Sequence, residues 1–323
     1  MVLLNLLVLL GVLARAQSAA APSELQTLRA DFEAQTKAVE AESEPRIQTI
    51  RLGYINALNV IKERLLSSKK VAESNAIARE ITRVKEQRED EEGGRAIPGV
   101  ARQLRSQFDL DIQSASSRSD LKLSSIRVRY AQQLNNMARL IAARGDSEEL
   151  RDVRFEINMM QVADLLAQKR IYKTPIIGDN PNGGRAEIKK NGLLAGFRIG
   201  AGGYNSETII KSIQPVFRTV NGDVEGAVYG EGERHTIVVA KKGYAVGAVL
   251  LKPGSRLIGM QVTFMKIKDQ GLGLDPRDSY KSEWVGGTTG GKPKELNGEG
   301  KLVVGSNILA GADVDAIGLI FLQ

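Results

Sequence analysis

Residues 301–322 read Lys-Leu-Val-Val-Gly-Ser-Asn-Ile-Leu-Ala-Gly-Ala-Asp-Val-Asp-Ala-Ile-Gly-Leu-Ile-Phe-Leu. An apolar run at 301–304, a Gly-containing stretch that carries Asp313 and Asp315, and a second apolar run at 317–322 make a strand, a loop and a strand. The same grammar extends upstream. Ile209–Phe217, His235–Ala240, Tyr244–Leu251 and Ile258–Ile267 alternate with period two and are separated by Gly, Asn and Asp turns. Short strands at regular spacing imply a sandwich, a barrel or a prism, and past Tyr172-Lys173-Thr174-Pro175 no helix of any length fits.

Before Arg170 the composition is different: Gly is scarce, and Leu, Ala, Glu, Gln and Arg dominate. This half repeats itself at one fixed shift, Leu28, Phe32, Ile50, Arg51, Tyr54, Leu58, Glu80 and Ile81 falling on Leu104, Phe108, Ile126, Arg127, Tyr130, Leu134, Glu156 and Ile157 without a gap. In each copy apolar residues recur every three or four positions, as in Ile47, Ile50, Tyr54, Leu58, Ile61 and Leu65, close to the heptad of a coiled coil. Breaks at Ser67-Ser68 and Arg144-Gly145-Asp146-Ser147, where Asp146 or Ser147 can cap the next helix, make each copy an antiparallel helical hairpin. Glu92-Gly93-Gly94 stops the first copy, Pro98 starts the second, and Pro45 predicts a kink or a restart in the first long helix.

The fold class is thus multidomain, α then all-β. Residues 1–21, with an apolar run too short to span a bilayer and small residues after it, read as a signal peptide, which predicts a secreted, periplasmic or cell-envelope protein. Residues 22–92 and 99–170 are the two hairpins, and 176–323 the β domain. The helices are expected to space the β domain, to form homo-oligomers, or to close on themselves as a bundle.

Composition narrows the chemistry. With no cysteine and one histidine, His235, thiol catalysis, cysteine–zinc sites and His-based dyads have almost nothing to draw on, so neither an enzyme nor a metal or cofactor site is expected. A net charge of +7 spread among alternating signs gives no basic stripe for nucleic acid. Gly286-Gly287-Thr288-Thr289-Gly290-Gly291-Lys292 begins like a phosphate loop, but Pro293 replaces the hydroxyl that would hold magnesium. Asp269, Asp275 and Asp278 lack the spacing of a calcium-binding hand.

Several segments together resemble the jacalin-related lectins. They are Gly196-Phe197-Arg198-Ile199-Gly200, Ile210-Lys211-Ser212-Ile213-Gln214-Pro215-Val216-Phe217, Gly243-Tyr244-Ala245-Val246-Gly247, Ile258-Gly259-Met260-Gln261-Val262-Thr263-Phe264, and the closing Gly311-Ala312-Asp313-Val314-Asp315-Ala316-Ile317-Gly318. The resemblance is collinear from about Asn182 to the C-terminus. It implies a β-prism of three four-stranded sheets and binding of a glycan or cell-surface polysaccharide. The implied site is Gly183 or Gly184 with Gly311, Ala312, Asp313, Val314 and Asp315. Glycine there lets backbone N–H groups converge, and an ionised aspartate accepts charge-assisted bonds from two hydroxyls. Tyr280 and Trp284, the only tryptophan, are candidates for an aromatic platform under a sugar ring. The plainer alternatives are that Asp313 and Asp315 order a turn and that both rings pack in the core. Many members carry Asp where Ala312 stands, which favours a second reading: a structural envelope protein whose prism docks another protein.

Overall fold

The protein's computed structural model describes residues 23–86, 97–178, 185–189, 191–232 and 235–323. The expected signal peptide and the Gly93-Gly94 stop lie outside the described residues. Four helices come first: α1 (Glu24–Ser67), α2 (Val71–Lys85), α3 (Gly99–Arg144) and α4 (Ser147–Ala167). The chain divides into two compact units between Gln133 and Leu134, inside α3.

In the first unit, α1 opens with a capping box in which the Ser23 hydroxyl accepts from the Gln26 N–H and the Gln26 side chain accepts from the Ser23 N–H. It does not restart at Pro45, which sits exposed inside a continuous helix. Its apolar stripe packs against α2 and the start of α3 through Tyr54, Leu58, Leu65, Ile77, Ile81 and Val84. The duplication is visible in the packing. Phe32 stacks on Tyr130 and Tyr54 stacks on Phe108, both with centroids 4.2 Å apart and rings within 8° and 11° of parallel. Phe32 and Phe108 are equivalent positions of the two copies, as are Tyr54 and Tyr130, so each copy offers its Phe to the other copy's Tyr. Such reciprocity is the signature of a two-fold relation, here between antiparallel helices of one chain.

The hairpin turns differ between the copies in a way that predicts a gain. Gly145 takes the left-handed conformation after α3 (φ 82°), and Asp146 caps α4 by accepting from the Glu148 and Glu149 N–H groups. At the equivalent place after α1, Lys69 is forced to φ 58° and Lys70 caps nothing. Relief of a left-handed lysine, about 1–2 kcal/mol, is partly offset by glycine's freedom in the unfolded chain, about 0.5–1 kcal/mol, whereas a new cap adds about 1 kcal/mol. Lys69→Gly with Lys70→Asp should therefore stabilise the first unit by about 1–2 kcal/mol, read as a higher midpoint in urea; an unchanged or lower midpoint contradicts it.

In the second unit, strands follow α4. β1 (Ile171–Lys173), β2 (Ile177–Gly178) and β3 (Arg185–Ile188) come first. The long hairpin of β4 (Gly192–Tyr204) and β5 (Glu207–Thr219) is followed by β6 (Gly222–Glu225) and β7 (Tyr229–Gly230) on β5, and by β8 (His235–Val239) on β4. The hairpin of β9 (Tyr244–Pro253) and β10 (Leu257–Ile267) repeats the scheme, with β11 (Leu274–Lys281) and β12 (Val285–Gly286) on β10, and β13 (Lys294–Asn297) on β9. Finally β14 (Val303–Ala310) and β15 (Val314–Leu322) form a third hairpin, completed by β1 and β2 on β15 and by β3 on β14. Every sheet thus has the same antiparallel order, and the last closes on strands from the start of the domain. This is a β-prism with internal three-fold repetition. Its axis is filled by Phe197, Phe217, Phe264 and Phe321 with Ile, Val and Leu from all three sheets.

The expected strands at 209–217, 235–240, 244–251 and 258–267 are present to within two residues. The strand expected at 301–304 is instead Val303–Ala310. Ser306 and Asn307 read as loop because they are polar, but Ser306 is fully buried and both pair on two sides, with β15 and β3. Only Gly311–Asp313 remains as the turn.

The hairpin tips, near 205–206, 254–256 and 311–313, gather at one end of the prism. The opposite end, the base, is where β4, β9 and β14 begin and β5, β10 and β15 finish. There Met159 and Val162 of α4 pack with Leu193, Ala245, Ala248, Met265, Leu302, Val304 and Ile320. The helix plugs the base with its own apolar face, and Lys242 pairs with its Glu148 and Asp152 at 3.1 Å each.

Candidate functional site at the hairpin tips

The third tip carries the residues that the closing motif singled out. Gly311 and Ala312 are exposed, and the Gly311 N–H donates to the Asp313 carbonyl at 3.0 Å, tightening the turn. The Ala312 carbonyl accepts from the Glu231 N–H at 2.9 Å. Val314 is fully buried and points its side chain into the prism core. Alternation along β15 then returns Asp315 to the surface side.

The two carboxylates differ. Asp313 is buried, its side chain 8% exposed, and meets Lys211 Nζ of β5 at 2.7 Å. Arg256, from the second tip, approaches Asp313 at 3.6 Å and Asp315 at 3.2 Å through Nε. A buried carboxylate that accepts from Lys211 and has Arg256 close by is charge-compensated within the fold, so Asp313 anchors the tip. Asp315, 22% exposed, and Arg256, 34% exposed, present an acceptor and a donor side by side. Tyr204 of the first tip completes the group: Lys211 Nζ lies 5.6 Å and Arg256 Cζ 5.5 Å from its ring centroid, within cation–π range. Beside them the Ser212 hydroxyl and His235 Nε2 are 3.1 Å apart. Residues from each of the three sheets therefore meet here.

Gly183 and Gly184 lie outside the described residues. β2 ends beside the site, since Gly178 pairs opposite Ala316, and a side chain at Gly178 would come within 2.1 Å of the Asp315 carbonyl. Its φ of 150° and this contact make glycine a requirement there.

The two aromatic candidates are separated. Tyr280 pairs opposite Phe264, towards the base, where it meets Tyr244 edge-on at 5.3 Å and its hydroxyl accepts from the Lys241 N–H at 2.8 Å. Lys241 Nζ sits 4.3 Å and 4.8 Å from the Tyr244 and Tyr280 centroids. A hydrogen bond from the Tyr244 hydroxyl, helped by Lys266, holds the Asp278 carboxyl below its usual range. Trp284 lies nearer the tips, over Gly259, with its indole N–H given to the Gly287 carbonyl at 2.8 Å. The rings do not form one platform.

Glu187 of β3 braces the prism elsewhere, accepting from the Ala227 N–H at 3.0 Å and from the Tyr229 hydroxyl at 3.1 Å. Burial, reinforced by Glu187, pushes the Tyr229 phenol up to about 12.

Lys211, Arg256 and Tyr204 were not legible as site residues, because no local motif marks them. The signal that finds them is the three-fold repetition, which brings the 254–256 and 204–207 turns beside the 311–313 turn.

The strand order is decisive. The fold is a jacalin-like β-prism. No family model matches the chain, and no curated protein does. Solved structures similar to its C-terminal half include Malaysian banana lectin, 18% identical over 47% of this chain and 98% of that one, with a TM-score of 0.34. A mannose-specific jacalin-related lectin from Morus nigra in complex with mannose is 15% identical over 48% and 96%, TM-score 0.34. The artocarpin–mannotriose complex is 12% identical over 48% and 98%, TM-score 0.37.

Proposed function

We propose that this chain is an exported, non-enzymatic carbohydrate-binding protein whose prism takes a glycan or cell-surface polysaccharide at the hairpin tips, while the duplicated helices space or oligomerise the binding heads. The observation that carries this is the acceptor–donor pair of Asp315 and Arg256 beside the exposed turn Gly311-Ala312. Neighbouring sugar hydroxyls each donate and accept, so a carboxylate next to a guanidinium suits a vicinal pair. Single sugar sites are weak, and linking them raises effective concentration, which gives the helices a purpose.

A hydrogen bond to a charged group contributes about 1.5–3 kcal/mol, so Asp315→Asn should weaken binding roughly ten- to a hundredfold on a glycan array probed with the full chain. Ala312→Arg, which places bulk on the exposed turn without touching the ion pairs, should do the same. Silence of the parent chain across the array overturns sugar binding, and binding unchanged in both variants overturns this site. The engagement of Asp313 by Lys211 and Arg256, with Ala312 beside it, favours the second reading, a prism that docks a protein in the cell envelope. Silence on the array is the outcome that reading expects.

A further inference from the structure

α3 carries two stripes. One is buried: Ala115, Ser119, Ile126 and Tyr130 face inward. On the other side Leu110, Ser114, Ser117, Leu121, Ser124 and Val128 recur at alternating steps of four and three, the spacing of a coiled-coil seam, and all six are exposed. Leu110 is 59%, Leu121 74% and Val128 55% exposed, among the largest apolar exposures on the helices. None of the six positions is charged, although charges crowd the flanks at Asp109, Asp111, Arg118, Asp120 and Lys122. Surface helices keep exposed leucines scattered; here Leu110, Leu121 and Val128 stand in one heptad register with the uncharged Ser114, Ser117 and Ser124 between them, a neutral seam that a partner helix can cover.

We propose that this outer face of α3 is a self-association surface on which α3 of a second copy packs antiparallel. The inference deepens the oligomerising role given to the helices and stands independently of sugar binding. Two features select this occupant and orientation. When Leu110 is set opposite the partner's Leu121, the two-fold relation sets Leu121 opposite the partner's Leu110, and Ser114 opposite the partner's Ser117, so across the four central positions large meets large and small meets small, with Ser124 and Val128 facing the uncharged Gln107 and Gln103. In the same register Asp111, on the flank of the stripe, falls beside the partner's Arg118, twice by symmetry, whereas a parallel pairing sets Asp111 against serine and Arg118 against glutamine. The first copy lacks this seam. At its equivalent positions Ala34 replaces Leu110 and Pro45 replaces Leu121.

The absence of cysteine makes the test direct. In full-length protein, Gln103→Cys and Val128→Cys are introduced separately. In the antiparallel register residue 103 meets the partner's residue 128, and a like pair is about 37 Å apart at 1.5 Å per residue. A mixture of the two variants should therefore cross-link into a dimer on oxidation, and neither should cross-link alone. The parent should sediment as a dimer and Leu121→Glu as a monomer with unchanged helicity, because Leu121 is exposed within the single chain. A monomeric parent at all concentrations, a dimer that survives Leu121→Glu, or single variants that cross-link to themselves would each overturn the proposal.

Discussion

Replacing Val162 with aspartate is expected to unfold the prism. Val162 belongs to a helix, but it is fully buried among strand residues at the base, with Leu193 from the first sheet, Ala245 from the second and Ile320 from the third. A carboxylate placed there finds no partner, and an unpaired buried charge is among the few single changes that exceed about 4–5 kcal/mol. Domains are stable by only about 5–15 kcal/mol, so this loss removes most or all of the margin. Val162→Ala removes apolar contact without adding a charge and should cost about 2 kcal/mol. Unfolding in urea followed by circular dichroism separates the two. The same reasoning applies to a chain that starts at Arg170, which keeps β1: without α4 it exposes the base and should aggregate or unfold. A soluble, monomeric fragment as stable as the parent would show that the prism closes its own base.

How far the sequence announces this arrangement depends on the range of the interaction. The helical duplication was legible because one shift carries Leu28 onto Leu104 and Ile81 onto Ile157 without a gap, and because Gly145 and Asp146 are local stop and start signals. The role of α4 was not. Met159 and Val162 satisfy the helical period equally well whether the surface they face is another helix or the end of a sheet. In the β half, period two revealed the hairpins, but it failed at Ser306 and Asn307, where two-sided pairing holds polar residues in a strand. The candidate site divides the same way. Asp313 and Asp315 stand in one Gly-containing turn and are legible together. Lys211, which neutralises Asp313, is 102 residues away, and nothing in its neighbourhood marks it.

Glu80→Ala is expected to be the most damaging change in the first unit. Glu80 is a buried charge, 6% exposed, on the inner face of α2. Its oxygens accept from Arg83 at 2.7 Å and 2.8 Å, from Arg105 of α3 at 2.6 Å, and from the Tyr54 hydroxyl of α1 at 3.2 Å. One carboxylate thus ties three helices together, and burial pushes the Tyr54 phenol far above its usual range, with the negative charge of Glu80 adding to the effect. Removing it leaves the Arg105 guanidinium, 13% exposed, beside Arg83 without the buried carboxylate that both share, while Asp109 still pairs with Arg105. Loss of one partner of a buried ion pair costs about 3–5 kcal/mol. Tyr54→Phe removes one hydrogen bond and should cost about 1 kcal/mol. A double-mutant cycle with Arg105→Ala tests the cause. If Arg105→Ala restores part of the stability lost in Glu80→Ala, the damage is the stranded guanidinium; if the two losses add, Glu80 acts by packing alone. The duplication extends the argument, because Glu156 holds the equivalent position in the second copy and is also buried, 3% exposed. A buried acid thus stands at both positions, although an apolar residue there would avoid the desolvation cost.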